Sequence, residues 1–107
     1  MNFIVKIVQP SGILNGVSAN KMRREISDVI DKGADIVLVD FQDVTFMNSS
    51  GLGVLISTLR VVHAGGNQLF ICSLNEQVKM IFELTKMNCV FKTFANREEF
   101  EQKVLIN

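Results

Sequence analysis

Two short, continuous apolar runs, residues 36–39 and 69–72, constrain the fold of this chain most strongly. Runs of this length without polar alternation are typical of strands that are buried on both faces of a parallel sheet. Between them, apolar residues recur every three or four positions, which is helical spacing. Two strands joined through a helix run parallel, with a right-handed crossover. We therefore predict an α/β fold whose central strands are parallel.

The start of the chain predicts two further strands. A loose alternation over residues 3–8 indicates the first strand, and turn-forming residues at 9–12 lead into a short second strand at 13–14. A tight connection between neighbouring strands predicts an antiparallel hairpin. Together with the parallel strands, this hairpin predicts a mixed sheet, with helices packed mainly on one face.

Four amphipathic segments predict helices, each with a polar residue suited to cap its first turn. These helices begin at Ser18, at the serine pair 49–50, at Asn75 and at Asn96, and a last strand over residues 90–94 precedes the fourth. The predicted order is β-β-α-β-α-β-α-β-α. The predicted core includes Val37, Val39, Leu55, Leu59, Phe70 and Ile81.

The composition narrows the functional classes. The 107 residues suit one domain, assigned here to residues 1–107. Eleven basic residues balance eleven acidic ones, which argues against direct binding of nucleic acid. The sequence has neither a signal-peptide pattern nor an apolar run of about 18 residues, so we expect a cytoplasmic protein without membrane insertion. Cys72 and Cys89 lie in apolar surroundings without a CxxC pattern, which predicts reduced, buried side chains.

The chain has few groups suited to catalysis. Its single histidine, His63, falls near the end of a predicted helix, with no cysteine or carboxylate motif beside it. Phosphate-binding glycine motifs and the GxSxG pattern are absent. Asp40 and Asp43 would need an acidic cluster after the first strand to form a phospho-aspartate receiver, and Gln9-Pro10 stand there instead. We predict no enzyme activity, no cofactor and no metal site.

The segment from Met47 to Gly53 is the candidate functional surface. It leads from a buried strand into a helix, where free backbone N–H groups and a partial positive charge favour a capping hydroxyl or an attached phosphate. Gly51 and Gly53 each cost about 1 kcal/mol relative to alanine within a helix, which predicts close approach of another backbone or of a partner. An ordinary N-cap followed by a glycine-softened first turn explains the same residues, and the pattern alone leaves both interpretations open.

The chain resembles STAS domains in the run Phe46-Met47-Asn48-Ser49-Ser50-Gly51-Leu52-Gly53-Val54-Leu55, which follows a buried strand ending at Asp40-Phe41. It is most similar to bacterial anti-sigma factor antagonists, whose pattern is Asp-Ser-[Ser/Thr]-Gly-Leu-Gly. The resemblance extends over nearly the whole chain and implies that Asn15 and Gly16 approach the serine turn. The partner-binding residues that it implies are Asn15, Gly16, Met47, Asn48, Ser49, Ser50, Gly51, Leu52 and Gly53.

The resemblance further implies regulation by exchange of partners. The unphosphorylated antagonist would bind an anti-sigma factor, a serine kinase with a histidine-kinase-like ATPase fold, and would thereby release a sigma factor. That kinase would phosphorylate Ser49, and the added charge of about −1.5 to −2 would break the interface. A PP2C-type phosphatase would restore the binding form. In this cycle the chain is a substrate and a ligand.

Two positions depart from the family pattern, because Asn48 and Asn15 stand where the family has aspartate. Asparagine keeps the size and the capping ability of aspartate, so we expect the turn to form. The site nevertheless carries up to two fewer negative charges, which leaves phosphorylation of Ser49 open. A second interpretation is therefore an accessory STAS subunit that regulates an ABC-type lipid transporter without a phosphorylation cycle.

Overall fold

The computed structural model describes residues 3–106. In chain order, its strands and helices are β1 (Val5–Val8), β2 (Ser11–Leu14), α1 (Gly16–Asp31), β3 (Ile36–Asp40), β4 (Asp43–Met47), α2 (Ser49–Ala64), β5 (Gln68–Cys72), α3 (Glu76–Leu84), β6 (Thr93–Phe94) and α4 (Arg97–Phe100). A 3₁₀ turn at Met87–Cys89 precedes β6, and a π-helical turn at Glu101–Leu105 follows α4. The four predicted helices are confirmed, and β4 is a strand that the sequence pattern did not reveal.

Four strands form the main sheet in the order β1-β3-β5-β6, and all of their pairings are parallel. Every residue of β3 is buried, since β3 lies between β1 and β5 and is covered on both faces. A second, two-stranded sheet pairs β2 with β4, also in parallel. The predicted α/β fold with parallel central strands is confirmed.

The prediction of an antiparallel opening hairpin is wrong, and so is the prediction of a mixed sheet that depended on it, because every strand pairing among the described residues is parallel. β1 pairs with β3, whereas β2 pairs with the unpredicted strand β4. The residue before a proline favours extended backbone, so Gln9 carries the chain onward to the second sheet instead of back along β1. The turn residues mark the change of direction correctly, but they contain no information about which strand becomes the partner.

The helices cover the main sheet unequally. α1, α2 and α3 pack on one face, in the larger apolar cluster, which contains Val37 and Val39 from β3. The opposite face, with Ile36 and Leu38, is covered by Phe100 of α4 and by Val104 beyond it. The prediction of helices mainly on one face is therefore confirmed. The predicted core residues are buried except Ile81, which is half-buried.

Three local expectations need correction. α1 is capped by Asn15, while Ser18 is the third helical residue and accepts a hydrogen bond from the Asn15 N–H at 2.9 Å. The last strand is only Thr93–Phe94, because the 3₁₀ turn delays extended backbone. That turn also leaves Cys89 exposed, whereas Cys72 is buried as predicted. Within residues 3–106, no helix has both the length and the apolar character needed to cross a membrane.

Candidate functional site

The serine turn is the junction between β4 and α2. Asn48 has extended backbone (φ −98°, ψ 177°), and its side-chain oxygen accepts a hydrogen bond from the Gly51 N–H at 2.9 Å. Asn48 is therefore the N-cap, the role that the sequence pattern suggested for a serine. Ser49 and Ser50 are the first two residues of α2, and both are exposed.

The β2–α1 connection supports one side of this turn. The Asn48 N–H donates to the Leu14 carbonyl at 3.3 Å. A Cβ on Gly51 would lie 2.1 Å from the Leu14 carbonyl oxygen, and a Cβ on Gly16 would lie 3.6 Å from the Ser50 Cβ. The predicted approach of Asn15 and Gly16 to the serine turn is confirmed, and Gly51 is the residue that permits it.

Gly53 differs from Gly51 in its surroundings. It is exposed, and a Cβ at this position would have no heavy atom within 4 Å. No neighbouring element in the described part of the chain therefore approaches Gly53 so closely that a side chain would be excluded there. The close approach predicted from the two glycines occurs inside the protein at Gly51, while Gly53, two residues later in α2, leaves an open surface.

Two amide side chains, one from the N-cap of α3 and one from its first turn, support the other side of the turn. The Gln77 oxygen accepts from the Met47 N–H at 2.9 Å, and the Gln77 nitrogen donates to the Met47 carbonyl at 3.0 Å. The Asn75 nitrogen lies 3.1 Å from the Val44 carbonyl oxygen and 3.2 Å from that of Thr45. Sequence reasoning found Asn75 as a helix cap but missed Gln77, because neither spacing nor composition indicates a contact with an unpredicted strand.

The predicted partner-binding residues fall into three groups by exposure. Ser49, Ser50 and Gly53 are exposed. The residues that are half-buried are Asn15, Gly16 and Asn48, and the buried ones are Met47, Gly51 and Leu52. The buried group lies beneath the surface and shapes it, so direct contact with a partner is available only to the other two groups.

Three exposed apolar side chains, here called the apolar rim, adjoin the serine turn and were not predicted. They are Ile13, Val17 and Phe46, with relative exposures of 57%, 82% and 45%. Ile13 pairs with Phe46 across the β2–β4 ladder, and Val17 follows Gly16 in the first turn of α1. Exposed apolar side chains grouped on one surface are typical of protein–protein contacts.

The family is decided by a match that covers nearly the whole chain. A family model of the STAS domain matches residues 3–100. The chain belongs to the STAS domain family. The serine turn of this STAS domain lies inside the matched region. The strands β2 and β4 and the helices α1 and α3, which surround the turn, lie inside it as well.

Several similar proteins are named anti-sigma factor antagonists, whereas two structures with a similar fold are named as transporter proteins or their STAS domains. The anti-sigma-B factor antagonist of Bacillus subtilis is 29% identical over 91 residues, which cover 85% of this chain and 83% of that protein. An anti-sigma factor antagonist from Mycobacterium paratuberculosis has a similar structure, with a TM-score of 0.81, 20% identity, and coverage of 94% of this chain and 86% of that one.

The anti-sigma factor antagonist SpoIIAA of Bacillus has the same fold in two covalent states. Its unphosphorylated form matches with a TM-score of 0.73 and 19% identity over 95% of this chain and 90% of that chain. Its phosphorylated form matches with a TM-score of 0.68 and 18% identity over 95% of this chain and 93% of that chain. At these identities the likeness establishes the fold of this STAS domain.

A second polar cluster lies at the carboxyl end of β3, apart from the serine turn. Asp40 is buried and forms an ion pair with Arg97 of α4, with 2.6 Å between Nε and Oδ2. Burial pushes the pKa of Asp40 upward, but the hydrogen bonds from Arg97 and from the Gln42 N–H, together with the guanidinium charge, hold it below its ordinary value. Arg97 also donates to Gln9, which donates to Asp43. These partners make Asp40 part of the attachment of α4.

Proposed function

We propose that this STAS domain is an anti-sigma factor antagonist. In its unphosphorylated form it binds a cognate anti-sigma serine kinase and releases a sigma factor, and phosphorylation of Ser49 switches it off. The observation that carries the proposal is the exposed Ser49 hydroxyl at the first helical position of α2, on a surface bordered by the apolar rim. The names of similar proteins support the antagonist role, and the structure of SpoIIAA in a phosphorylated form supports regulation by phosphate.

The docking surface is suited to an uncharged contact. None of the predicted partner-binding residues carries a charge, and the apolar rim extends that surface along β2, β4 and α1. Burial of Val17 and Phe46 against a partner would supply the hydrophobic part of the binding free energy. Asn15 and Asn48 use their side-chain oxygens on the first turns of α1 and α2, so they hold the surface in shape before a partner arrives.

Phosphorylation would act on this surface through charge. A phosphate on Ser49 would add about −1.5 to −2 charge at the N-terminus of α2, where backbone N–H groups and the helix dipole favour an anion in water. In the bound state the same charge would lie within an apolar interface, where its desolvation is costly. The phosphorylated chain is therefore more stable free than bound, and a PP2C-type phosphatase in the cytoplasm returns it to the binding form.

Phosphate transfer to Ser49 is the decisive test. The kinase is captured from source cells on the immobilised chain, purified, and incubated with the chain and MgATP before peptide mass spectrometry. We expect one phosphate on Ser49, none on the Ser49→Ala variant, and normal transfer to Ser50→Ala, because Asn48 rather than a serine caps α2. Phosphate on Ser49→Ala, or capture of ATPase and permease subunits without a kinase, would contradict the proposal.

The apolar rim gives an independent prediction about binding. Val17→Ser should weaken binding of the captured kinase about tenfold, since it removes most of the apolar area of one side chain from the interface. Val61→Ser is the matched control, because Val61 is 69% exposed but lies near the far end of α2. Isothermal titration calorimetry measures both. Equal affinities for the two variants would exclude Val17 from the interface.

A further inference from the structure

We propose that Gln77 is a positioning residue for Ser49. Its side-chain amide holds Met47, the last residue of β4, and thereby determines where Asn48 and Ser49 are presented. The inference rests on the proposed function of Ser49 as the phosphate acceptor. It adds a residue of α3 that lies outside the signature run of the sequence.

The geometry of this contact is that of a strand pairing. A residue in a strand directs its N–H and its carbonyl to the same side, and those of Met47 are directed away from β2 towards α3. The Gln77 amide supplies one acceptor at 2.9 Å and one donor at 3.0 Å, as a neighbouring peptide group would. The next residue, Asn48, is directed towards β2 and donates to Leu14. The chain is thus held from both sides immediately before Ser49.

The burial of Met47 makes the loss of its hydrogen bonds to Gln77 costly. Met47 has no exposed surface, so water cannot replace Gln77 without a movement of the chain. A buried backbone group that loses its partner is costly, and the chain relieves this cost by shifting. Any shift of Met47 is transmitted through one residue to Ser49. A misplacement of about 1 Å at a reacting group can lower a rate by about a hundredfold.

Gln77 is also the side chain through which this role can be tested separately. Asn75 contacts β4 as well, but its oxygen caps α3 through the Val78 N–H at 2.9 Å, so its replacement would disturb the helix itself. The hydrogen bonds of the Gln77 side chain are both made to Met47. Gln77→Met keeps a side chain of similar length and removes both bonds. Gln77→Glu keeps the acceptor for the Met47 N–H and removes the donor.

The first measurement needs no partner. Amide hydrogen exchange of Met47, followed by NMR on the full chain, should show protection lowered about tenfold in Gln77→Met and largely kept in Gln77→Glu. Ile81→Val is the matched control, because it removes one methylene group from the same helix away from the turn. Unchanged protection of Met47 in Gln77→Met would overturn the proposal.

The second measurement is steady-state phosphorylation by the kinase that modifies wild-type Ser49. In both Gln77 variants kcat should fall about tenfold or more while KM changes less than about threefold, because docking is kept and alignment is lost. Ile81→Val should keep both constants. An unchanged kcat with a rise in apparent KM that follows the unfolded fraction of the substrate chain, measured by circular dichroism, would overturn the positioning role. Absence of phosphate on the wild-type chain would refute the proposed function instead, and the exchange of Met47 would still test the contact.

Discussion

Gly51→Ala is expected to destabilise the domain by about 3 kcal/mol or more, whereas Gly53→Ala should stabilise it by about 0.5–1 kcal/mol. The new Cβ at Gly51 would lie 2.1 Å from the Leu14 carbonyl oxygen and 2.8 Å from its carbon. Both atoms belong to backbone, so no side-chain rotation can relieve the overlap. α2 would have to move away from β2, with loss of the packing beneath the serine turn.

Gly53 is the matched control within the same helix. Its Cβ would meet nothing within 4 Å, so alanine brings only its better helix propensity. Urea unfolding followed by circular dichroism measures the free energies of unfolding of the two variants and the wild type. Similar stabilities for the two alanine variants would contradict the close approach of α2 to the Leu14 backbone.

The same pair of variants separates folding from docking. Gly53→Ala leaves the domain intact and adds a methyl group to the exposed surface of α2, one helical turn after Ser49. If the partner approaches this turn closely, binding of the captured kinase weakens although the fold is more stable. Gly51→Ala weakens binding only through the displaced turn.

The central strands were predictable because complete burial leaves a clear mark in the sequence. β3 and β5 contain continuous apolar runs, and the apolar residues of α2, the helix between them, have regular helical spacing. β4 has no such mark. Buried and exposed residues do not alternate regularly along β4, since Phe46 is exposed where a buried residue would be expected. In addition, the backbone groups on its outer edge bond to the side chains of Asn75 and Gln77 instead of to another strand.

The site was predictable in place but not in detail. The position of Ser49 at a helix start followed from the change of periodicity, and the structure places it there. Asparagine and serine are both good N-caps, so the choice of Ser18 over Asn15 could not be settled by propensity. The apolar rim and Gln77 depend on the pairing of β2 with β4, which is a long-range contact without a local signal.

Arg97→Met is expected to destabilise the domain by about 2–3 kcal/mol at pH 7, because it leaves the Asp40 carboxylate buried without its cation. The Asp40 side chain is 1% exposed, and Arg97 is 41% exposed, so water lessens the value of the pair but cannot solvate the remaining carboxylate. The loss should appear as detachment of α4 from the sheet. Urea unfolding and amide exchange of Phe100 measure the two effects.

A double variant distinguishes a stranded charge from lost packing. In Asp40→Asn the side-chain oxygen can still accept from the Gln42 N–H, which donates to Asp40 Oδ1 at 2.9 Å in the wild type. Arg97→Met should therefore cost less in the Asp40→Asn background than in the wild type. Equal costs in the two backgrounds would mean that Arg97 stabilises the domain through its aliphatic stem alone.

Asp40 should contribute to the pH dependence of stability with opposite signs in the wild type and in Arg97→Met. In the wild type the pKa of Asp40 is lowered on folding, so its stabilisation is present above the unfolded pKa of about 3.9 and is lost as pH falls through the folded value. In Arg97→Met, burial acts without the opposing guanidinium and raises the folded pKa, so the variant gains stability as acid protonates the carboxyl. The difference in free energy of unfolding between wild type and Arg97→Met should therefore shrink from pH 7 towards pH 3, and it should stay constant when the same comparison is made in the Asp40→Asn background.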